Sequence, residues 1–272
     1  MAQSSPNSGF EDVDRASDSD WFVKCLDKQY ASGLLERNKQ RTFELLDIQG
    51  GQRILDAGCG TGVDTLKMAT LVGDGGHVVG VDLSAAMVLQ ARERSYGANL
   101  PVSFCQGDIY HLGFPDNCFD LCRSDKTFQH LSEPRRALAE LVRVTKPGGK
   151  IVIADPDHDS LIIDTPYDDV NRRFAQFRSD HMPQGGIAHQ LYAMFKEFGL
   201  VNVTAEPLTT IFTDYEVKKV TSPYLKEIRI AQEYDAVTPK EAEQWAAYLE
   251  AAIGNGRFFC MQTYVVTMGF KP

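Results

Sequence analysis

The sequence predicts an α/β protein built around a mostly parallel β-sheet with helices on both faces. Between residues 53 and 157, short runs of β-branched and apolar residues alternate with amphipathic segments, as strands and helices do in such folds. The runs are apolar throughout, which is typical of strands that are buried on both sides. With 272 residues, the chain is long enough for one large α/β domain with a cap.

Five strands are predicted in this region. They are RILDAG (53–58), HVVGVD (77–82), PVSFCQGD (101–108), FDLCRS (119–124) and KIVIADPD (150–157). Amphipathic helices are predicted between them, including 62–72, 84–95 and 134–145. Ser84 is expected to cap the second of these helices, while Ser132 and Pro134 begin the third, which ends at KPGG.

Beyond residue 157 the pattern changes. Two helices (YDDVNRRFAQFRSDH and IAHQLYAMFKEFG) precede two strands (LVNVTAEPL and FFCMQTYVVTMGF), which are separated by about fifty residues that include the capping box Thr238-Pro239-Lys240-Glu241. So long a connection between successive strands indicates an insertion. We therefore expect a flexible tail (1–20), a helical leader or cap (21–48), and a main domain (49–272) with lid insertions at about 157–190 and 207–257. The leader and the second insertion also offer surfaces for a homo-oligomer.

Composition excludes several classes of protein. The net charge of −9 argues against a nucleic-acid partner, because neutralising phosphates requires a clustered basic face. No apolar run reaches the length of a membrane span, and residues 1–20 carry no signal sequence. The six cysteines lack the paired spacing of zinc ligands, so no metal site is predicted and a cytoplasmic protein with reduced thiols is expected.

The stretch ILDAGCGTGVDTL (54–66) places Gly58, Gly60 and Gly62 between a strand and a helix. Such a turn presents backbone N–H groups to a ligand, and glycine lets the ligand come close. Val63 occupies the position of the third glycine in a dinucleotide-binding turn, which disfavours a nicotinamide cofactor. The Lys and Ser/Thr of a P-loop are also missing, which disfavours phosphoryl transfer.

Acidic residues lie at the carboxyl ends of three successive predicted strands. Asp82 is placed to accept hydrogen bonds from a ribose diol, and Asp108 is placed to accept one from an adenine amine while Ile109 covers the ring. Singly, each acid is more simply explained as a helix cap or a loop residue. Together with Asp56, they favour a nucleoside site at the edge where open α/β sheets bind ligands.

These segments together resemble the class I S-adenosylmethionine-dependent methyltransferases. The similar segments are ILDAGCGTG, VVGVDLS, GDIYHLGFPDNCFD and ELVRVTKPGGKIVIAD. The resemblance covers about residues 40–205 and is closest to the small-molecule group around the ubiquinone/menaquinone C-methyltransferases and natural-product methyltransferases. It implies a Rossmann-like, seven-stranded, mostly parallel sheet whose antiparallel last strand is supplied by 259–270. It also implies S-adenosyl-L-methionine as the cofactor.

The resemblance implies a set of cofactor-binding residues. The loop glycines would line the methionine side, Asp56 would orient the loop and the amino group, and Asp82 would hold the ribose. Arg123 and Ser124 would lie near the sulfonium through backbone contacts. The full set is Asp56, Gly58, Cys59, Gly60, Thr61, Gly62, Asp82, Leu83, Met87, Gly107, Asp108, Ile109, Arg123 and Ser124.

Two residues are candidates for acting on the methyl acceptor. In similar sugar and polyketide O-methyltransferases, a His at the His130 position and an Asp at the Asp155 position flank the acceptor. Both have alternatives: His130 as a capping or core histidine, and Asp155 as an acceptor of hydrogen bonds from loop amides. Asp157 and His158 are expected in a solvated turn.

The predicted function is methyl transfer to oxygen or carbon of a small, largely apolar metabolite, either a natural product or a quinone-like molecule. One alternative is a methyltransferase fold that binds the cofactor but catalyses another reaction, such as cyclisation. A nicotinamide oxidoreductase is the other alternative, disfavoured by Val63. Basic leader residues (Arg37, Lys39 and Arg41) are expected on a solvated helix face, although they are within reach of a cofactor carboxylate.

Overall fold

The computed structural model describes residues 36–220 and 222–272, together with positions 14, 23, 24, 26–28, 30 and 33. Most of the predicted tail (1–20) lies outside the described residues, and so do Trp21, Phe22 and Cys25 of the predicted leader.

One β-sheet organises the described chain. Its strands are β1 (Arg53–Ala57), β2 (His77–Asp82), β3 (Val102–Gln106), β4 (Phe119–Asp125), β5 (Thr145–Pro156), β6 (Ile162–Ile163), β7 (Val201–Phe212) and β8 (Cys260–Phe270). The order is β3-β2-β1-β4-β5-β8, with β7 on the outer side of β8 and the two-residue β6 paired to the start of β8. Strands β1 to β5 are parallel, and β8 is antiparallel to both β5 and β7. Apart from β6, this is the predicted seven-stranded, mostly parallel sheet, which is confirmed.

Helices flank the sheet and form the segments beyond it. They are α1 (Glu36–Leu46), α2 (Val63–Val72), α3 (Ala85–Ser95), α4 (Pro134–Val144), α5 (Asp168–Asp180), α6 (Ile187–Glu197), α7 (Tyr215–Lys218), α8 (Tyr224–Glu233) and α9 (Pro239–Gly254). The predicted caps form at Ser84, whose hydroxyl accepts a hydrogen bond from the Met87 N–H, and at Thr238, which makes a capping box with Glu241. At α4 the cap residue is Glu133 instead of Ser132, while Pro134 begins the helix as predicted.

Two strands extend beyond their predicted limits. β5 begins at Thr145, so the KPGG segment lies within the strand, and the partner strand β4 shifts register between Phe119 and Leu121. β7 continues to Phe212 and so takes the first residues of the predicted insertion 207–257. Because β7 pairs with β8 along almost its whole length, backbone hydrogen bonding decides these limits more than side-chain polarity does.

The interior is divided between the sheet and a separate helical cap, made of β6, α5 and α7–α9. The sheet core packs against α4 and α6 on one face and against α1 and α2 on the other. The cap has its own core around Phe174, Tyr224 and Trp245, all fully buried. Trp245 Nε1 donates to Asn171 Oδ1 at 2.7 Å, so the polar edge of the indole is satisfied inside this core. The cap occupies both predicted insertions, and its action as a lid stays a prediction.

Candidate active site

A cleft of about 340 Å³ opens at the carboxyl ends of the parallel strands, where the strand order reverses between β1 and β4. Its volume lies in the usual range for small-molecule sites. All of the predicted cofactor-binding residues line it except Gly62 and Ser124. The strand ends and the loops that follow them therefore bring together residues that are far apart in the sequence.

The loop after β1 depends on glycine for two different reasons. Gly58, Gly60 and Gly62 have φ values of 78°, 51° and 77°, in the left-handed region that favours glycine. A Cβ on Gly58 would lie 2.1 Å from Thr127 Oγ1, so that position also requires close approach of the loop after β4. A Cβ on Gly62 would lie 2.7 Å from the Ala91 Cβ. Gly62 therefore permits close packing against α3, and its contact with the cofactor stays a prediction.

Asp82, at the end of β2, connects this loop to the next helix. Its carboxylate accepts hydrogen bonds from the Gly60 N–H at 2.8 Å and the Ser84 N–H at 3.0 Å. Burial raises the pKa of Asp82, while these two amides act against the rise. Each carboxylate oxygen can accept a second hydrogen bond, so Asp82 remains able to bind a ligand in the cleft that it lines.

The far side of the cleft is more apolar. Met87 and Ile109 are buried lining residues, while Leu83 is more than half exposed. Asp108 lies beside them, and one of its oxygens accepts a hydrogen bond from the Tyr110 N–H at 2.8 Å. An exposed carboxylate next to two buried apolar side chains fits an aromatic base with a polar edge.

At the opposite end of the cleft, the Arg123 side chain lies within a buried ionic network. Asp56 on β1 is in register with Arg123 on β4, and the two side chains form an ion pair at 3.2 Å. Arg123 also contacts Asp64 at 3.0 Å and Asp125 at 2.7 Å. Although burial alone would lower it, the pKa of Arg123 is raised by these carboxylates. The guanidinium itself therefore lines the cleft, whereas the sequence predicted only backbone contacts at this position.

Lys39 on α1 belongs to the same network. Its Nζ lies 2.5 Å from Asp64 Oδ2 and 2.6 Å from the Tyr30 hydroxyl. The expectation of a solvated helix face is therefore wrong for Lys39, although Arg37 is exposed and Arg41 pairs with Glu206. One signal was available: Lys39, Thr42 and Leu46 recur at helical spacing on one face of α1, and all three are buried.

Asp64 and Asp125, the other carboxylates of this network, were missed by sequence reasoning. Asp64 lies in the first turn of α2, where an acidic residue is ordinarily explained by the helix dipole. Here, although burial alone would raise it, the pKa of Asp64 is lowered by Arg123 and Lys39. Among the described residues of this network, three carboxylates (Asp56, Asp64 and Asp125) thus lie against two cations, Arg123 and Lys39.

Ser124 and Asp155 do not line the cleft. The Ser124 hydroxyl is buried and donates to the Ala57 carbonyl at 2.9 Å. Asp155 is fully buried, and its oxygens accept the Phe128 and Gln129 N–H groups at 3.2 Å each. Burial raises the pKa of Asp155 well above its ordinary value. The geometry thus corresponds to the alternative in which Asp155 accepts hydrogen bonds from loop amides.

His130 does line the cleft, at the end of the short 3₁₀ turn Phe128–His130 that Asp155 anchors. Burial, with a contribution from the charge of Lys126, lowers the pKa of His130 to about 4. The imidazole is therefore neutral near pH 7. Leu131, Tyr110 and Lys126 also line the cleft, so apolar surface and a second basic side chain accompany His130 there.

His158 differs from expectation as well. It is 8% exposed and its Nε2 lies 2.8 Å from Gln129 Oε1, so it is a buried residue and not part of a solvated turn. Asp157 accepts a hydrogen bond from the exposed His189 at 3.0 Å.

Comparison with known proteins agrees with this site. Residues 48–199, more than half of the chain, match a methyltransferase domain family. An uncharacterized 37.1 kDa protein in the transposon TN4556 of Streptomyces fradiae is 34% identical over 253 residues, which is 92% of this chain and 72% of that protein. The ubiquinone/menaquinone biosynthesis C-methyltransferase UbiE of Yersinia enterocolitica is 36% identical over 119 residues, which is 43% of this chain and 47% of that enzyme. Against UbiE, the match thus spans about half of the relative's length.

Solved structures show the same fold. The YcgJ protein from Bacillus subtilis superposes with a TM-score of 0.64 at 21% identity, covering 87% of this chain and 98% of that one. The [4+2]-cyclase SpnF superposes with a TM-score of 0.54 at 23% identity, covering 87% and 80% of the two chains.

The chain belongs to the methyltransferase domain family, and its class is that of the S-adenosylmethionine-dependent methyltransferases. No helix in the described part of the chain is both long enough and apolar enough to cross a membrane.

Proposed function

We propose that this protein transfers a methyl group from S-adenosylmethionine to oxygen or carbon of a small, largely apolar metabolite of the natural-product or quinone type. The observation that carries the proposal is the shared cleft: glycine-loop backbone, the strand-end carboxylate of Asp82 and the neutral imidazole of His130 all line one space. Cytoplasmic localisation and a homo-oligomeric state remain predictions.

The residues present fit the cofactor. When bound, it supplies a methyl group that is already activated by a sulfonium. Asp82 would hold the ribose hydroxyls, and Asp108 with Ile109 and Met87 would hold the adenine. The carboxylates around Arg123 would favour a positively charged group of the cofactor over a neutral or anionic group. Lys39 and Tyr30 would lie beside its carboxylate end.

His130 is the residue that we assign to proton removal. A neutral imidazole can accept a proton from an acceptor hydroxyl or an acidic carbon. With a pKa lowered to about 4, His130 is a weak base but is unprotonated throughout the physiological range. Asp155 acts indirectly, because it binds the two amides that precede His130 and so fixes the turn. Asp155 is thus a positioning residue in this proposal.

The acceptor would lie against Leu131 and Tyr110, next to His130. Apolar surface here excludes water from the reacting groups, which is the main task of a protein whose cofactor brings its own electrophile.

The test is incubation of the full chain with methyl-labelled S-adenosylmethionine and a small-molecule extract, followed by mass spectrometry of the labelled product. We expect one small metabolite to gain a single labelled methyl group, and the Asp82→Ala variant to serve as the low-transfer control. A consumed substrate whose product carries no label would instead support the cyclisation alternative. Label that appears in protein or nucleic acid would contradict the proposed substrate class.

A further inference from the structure

A second group of buried basic residues lies in and beside the cap, outside the cleft lining. Its members are Arg178 on α5, Lys218 at the end of α7 and His158 after β5, which are 3%, 3% and 8% exposed. Charged and polar side chains are rarely buried to this degree unless they are paired or bind something. Arg178 forms a buried ion pair with Glu227 at 2.7 Å.

Arg178 retains an unused hydrogen-bond donor. Its Nε donates to Glu227 Oε2 at 2.7 Å and its Nη2 donates to Ser222 Oγ at 3.0 Å. Its Nη1 is buried and has no hydrogen-bond partner among the residues that the structure describes. A buried donor left in this state is unfavourable, so a ligand that accepts its hydrogen bond is favoured.

Lys218 adds a second positive charge. Its Nζ lies 4.4 Å from the centre of the Phe212 ring and 5.4 Å from that of Tyr224. Burial lowers the pKa of Lys218 to about 8, which still leaves the amine mostly protonated at pH 7. Glu227 pairs with Arg178 at 2.7 Å, and its charge also acts on Lys218, so the two cations lie close to the same carboxylate.

His158 connects the basic group to the cleft. Gln129 donates to the Lys126 carbonyl through its Nε2, so its Oε1 accepts from His158 Nε2. His158 Nδ1 then carries the lone pair, is buried, and has no hydrogen-bond partner within the described chain. Gln129 precedes His130, which lines the cleft. His158 therefore contacts the residue next to the proposed acceptor site.

A continuous set of contacts joins these residues. The backbone N–H of His158 donates to the Gly185 carbonyl at 3.0 Å, and the backbone N–H of Gln184 donates to the Gln129 carbonyl at 3.0 Å. Gly185 lies against Ser179, the neighbour of Arg178. Besides burial, the charges of Arg178 and Lys218 lower the pKa of His158, as expected for groups that act on one another at short range.

We propose that Arg178, Lys218 and His158 bind an anionic group of the methyl acceptor on the cap side of the turn Phe128–His130. The inference rests on the proposed function for the identity of the ligand as the acceptor. An oxyanion accepts hydrogen bonds from Arg178 and Lys218. A monoprotonated phosphate also offers an O–H to His158 Nδ1, so phosphate matches the site better than carboxylate does.

The probes are inorganic phosphate and, as the carboxylate, acetate, each added at constant ionic strength to the full chain saturated with S-adenosylhomocysteine. The readout is the imidazole NMR signal of His158, assigned from its loss in the His158→Gln variant. We expect phosphate to shift this signal to saturation and acetate to do so more weakly; saturation by acetate alone would support the site with a carboxylate as its ligand. A signal that neither anion moves would overturn the proposal.

Lys218→Met is the informative variant and Lys219→Met is its matched control, since Lys219 is an exposed neighbour that pairs with Glu216. Loss of a charged hydrogen-bond donor should weaken phosphate binding on the order of tenfold in Lys218→Met. Lys219→Met should bind as the wild type does. Equal affinities in Lys218→Met and the wild type, or equal losses in both variants, would contradict the assignment.

Two further measurements keep the outcome clear. If thermal unfolding shows that Lys218→Met does not fold, Arg178→Lys replaces it, because this variant keeps the charge and removes the extra nitrogen donor; it too should weaken phosphate binding. Calorimetry with S-adenosylhomocysteine tests the cofactor site separately. A wild-type chain that fails to bind S-adenosylhomocysteine counts against the proposed function, whereas the phosphate titration, then carried out without S-adenosylhomocysteine, still decides the anion site.

Discussion

Arg123 lines the cleft and Arg178 lies in the cap; both are buried, but their surroundings differ in charge. Arg123 contacts three carboxylates, with Lys39 as the second cation of its network. Arg178 contacts one carboxylate, Glu227, and has Lys218 as its cationic neighbour. Among the described residues, three carboxylates contact Arg123, whereas Glu227 is the carboxylate that contacts Arg178.

Burial of an ion pair therefore does not by itself indicate a structural role. Around Arg123, every group of the guanidinium that donates has a carboxylate or the Thr42 hydroxyl as its partner. Around Arg178, one terminal nitrogen has none in the described residues. A cationic ligand suits the first environment and an anionic ligand suits the second.

Removing each arginine gives the largest expected effect. Arg123→Met leaves three carboxylates buried with only Lys39, so we expect the free energy of unfolding to fall by about 3–5 kcal/mol. Arg178→Met removes the cationic partner of one buried carboxylate, Glu227, so it should lower the free energy of unfolding by less. Urea denaturation measures both, with Arg135→Met as the control, because its exposed pair with Glu197 contributes about 0–1 kcal/mol. Equal losses of unfolding free energy in Arg123→Met and Arg178→Met would contradict the difference in charge between the two sites.

His130, which lines the cleft, gives the next largest expected effect. His130 is the proposed proton acceptor, so His130→Ala should lower kcat by about 10²-fold. This is the low end for a general base, because the pKa of His130 is lowered to about 4. The affinity for S-adenosylhomocysteine should change little. Steady-state kinetics and calorimetry measure the two effects, with the exposed His189→Ala as control. An unchanged kcat would return His130 to a structural role.

Asp82 tests the cleft side alone. We expect Asp82→Ala to weaken S-adenosylhomocysteine binding by about 10-fold to 100-fold, because a buried charged acceptor of ribose hydrogen bonds is lost. Lys218→Met, on the other side of the turn, should leave this affinity as it is in the wild type. Calorimetry on both variants sharpens the separation of the two regions. Wild-type affinity in Asp82→Ala would refute the ribose contact.

His158 gives the smallest effect, through pH. Burial, together with nearby cations, holds the folded-state pKa of His158 well below its ordinary value of 6.5, so the unfolded chain binds the proton more readily. Stability from this group is therefore present above pH 6.5 and is lost as the pH falls below it, by at most about 1.4 kcal/mol per pH unit. His158→Gln should flatten the pH dependence of the free energy of unfolding, whereas His189→Gln should not. Parallel curves for the wild type and His158→Gln would contradict this buried, neutral state.

Patterns confined to one segment could be recognised from the sequence. The apolar runs predicted the five parallel strands to within a few residues, and the glycine loop with Asp82 and Asp108 predicted the position of the cleft. This succeeds because strand burial and left-handed turns restrict which residues a position accepts, whatever lies elsewhere.

The two ionic networks depended on the tertiary structure. Lys39 is 25 residues from Asp64, and Arg178 is 49 residues from Glu227. No spacing rule joins such positions, since their meeting depends on how α1 packs on the sheet and how the cap helices pack on one another. Likewise, the sequence around Asp155 does not distinguish a carboxylate that faces a substrate from one that accepts hydrogen bonds from two loop amides. The sequence alone therefore determined the sheet, its ligand-binding edge and the class of cofactor. The packing of helices on that sheet decided which charges are buried together, because electrostatic partners are selected by distance in space and not by distance along the chain.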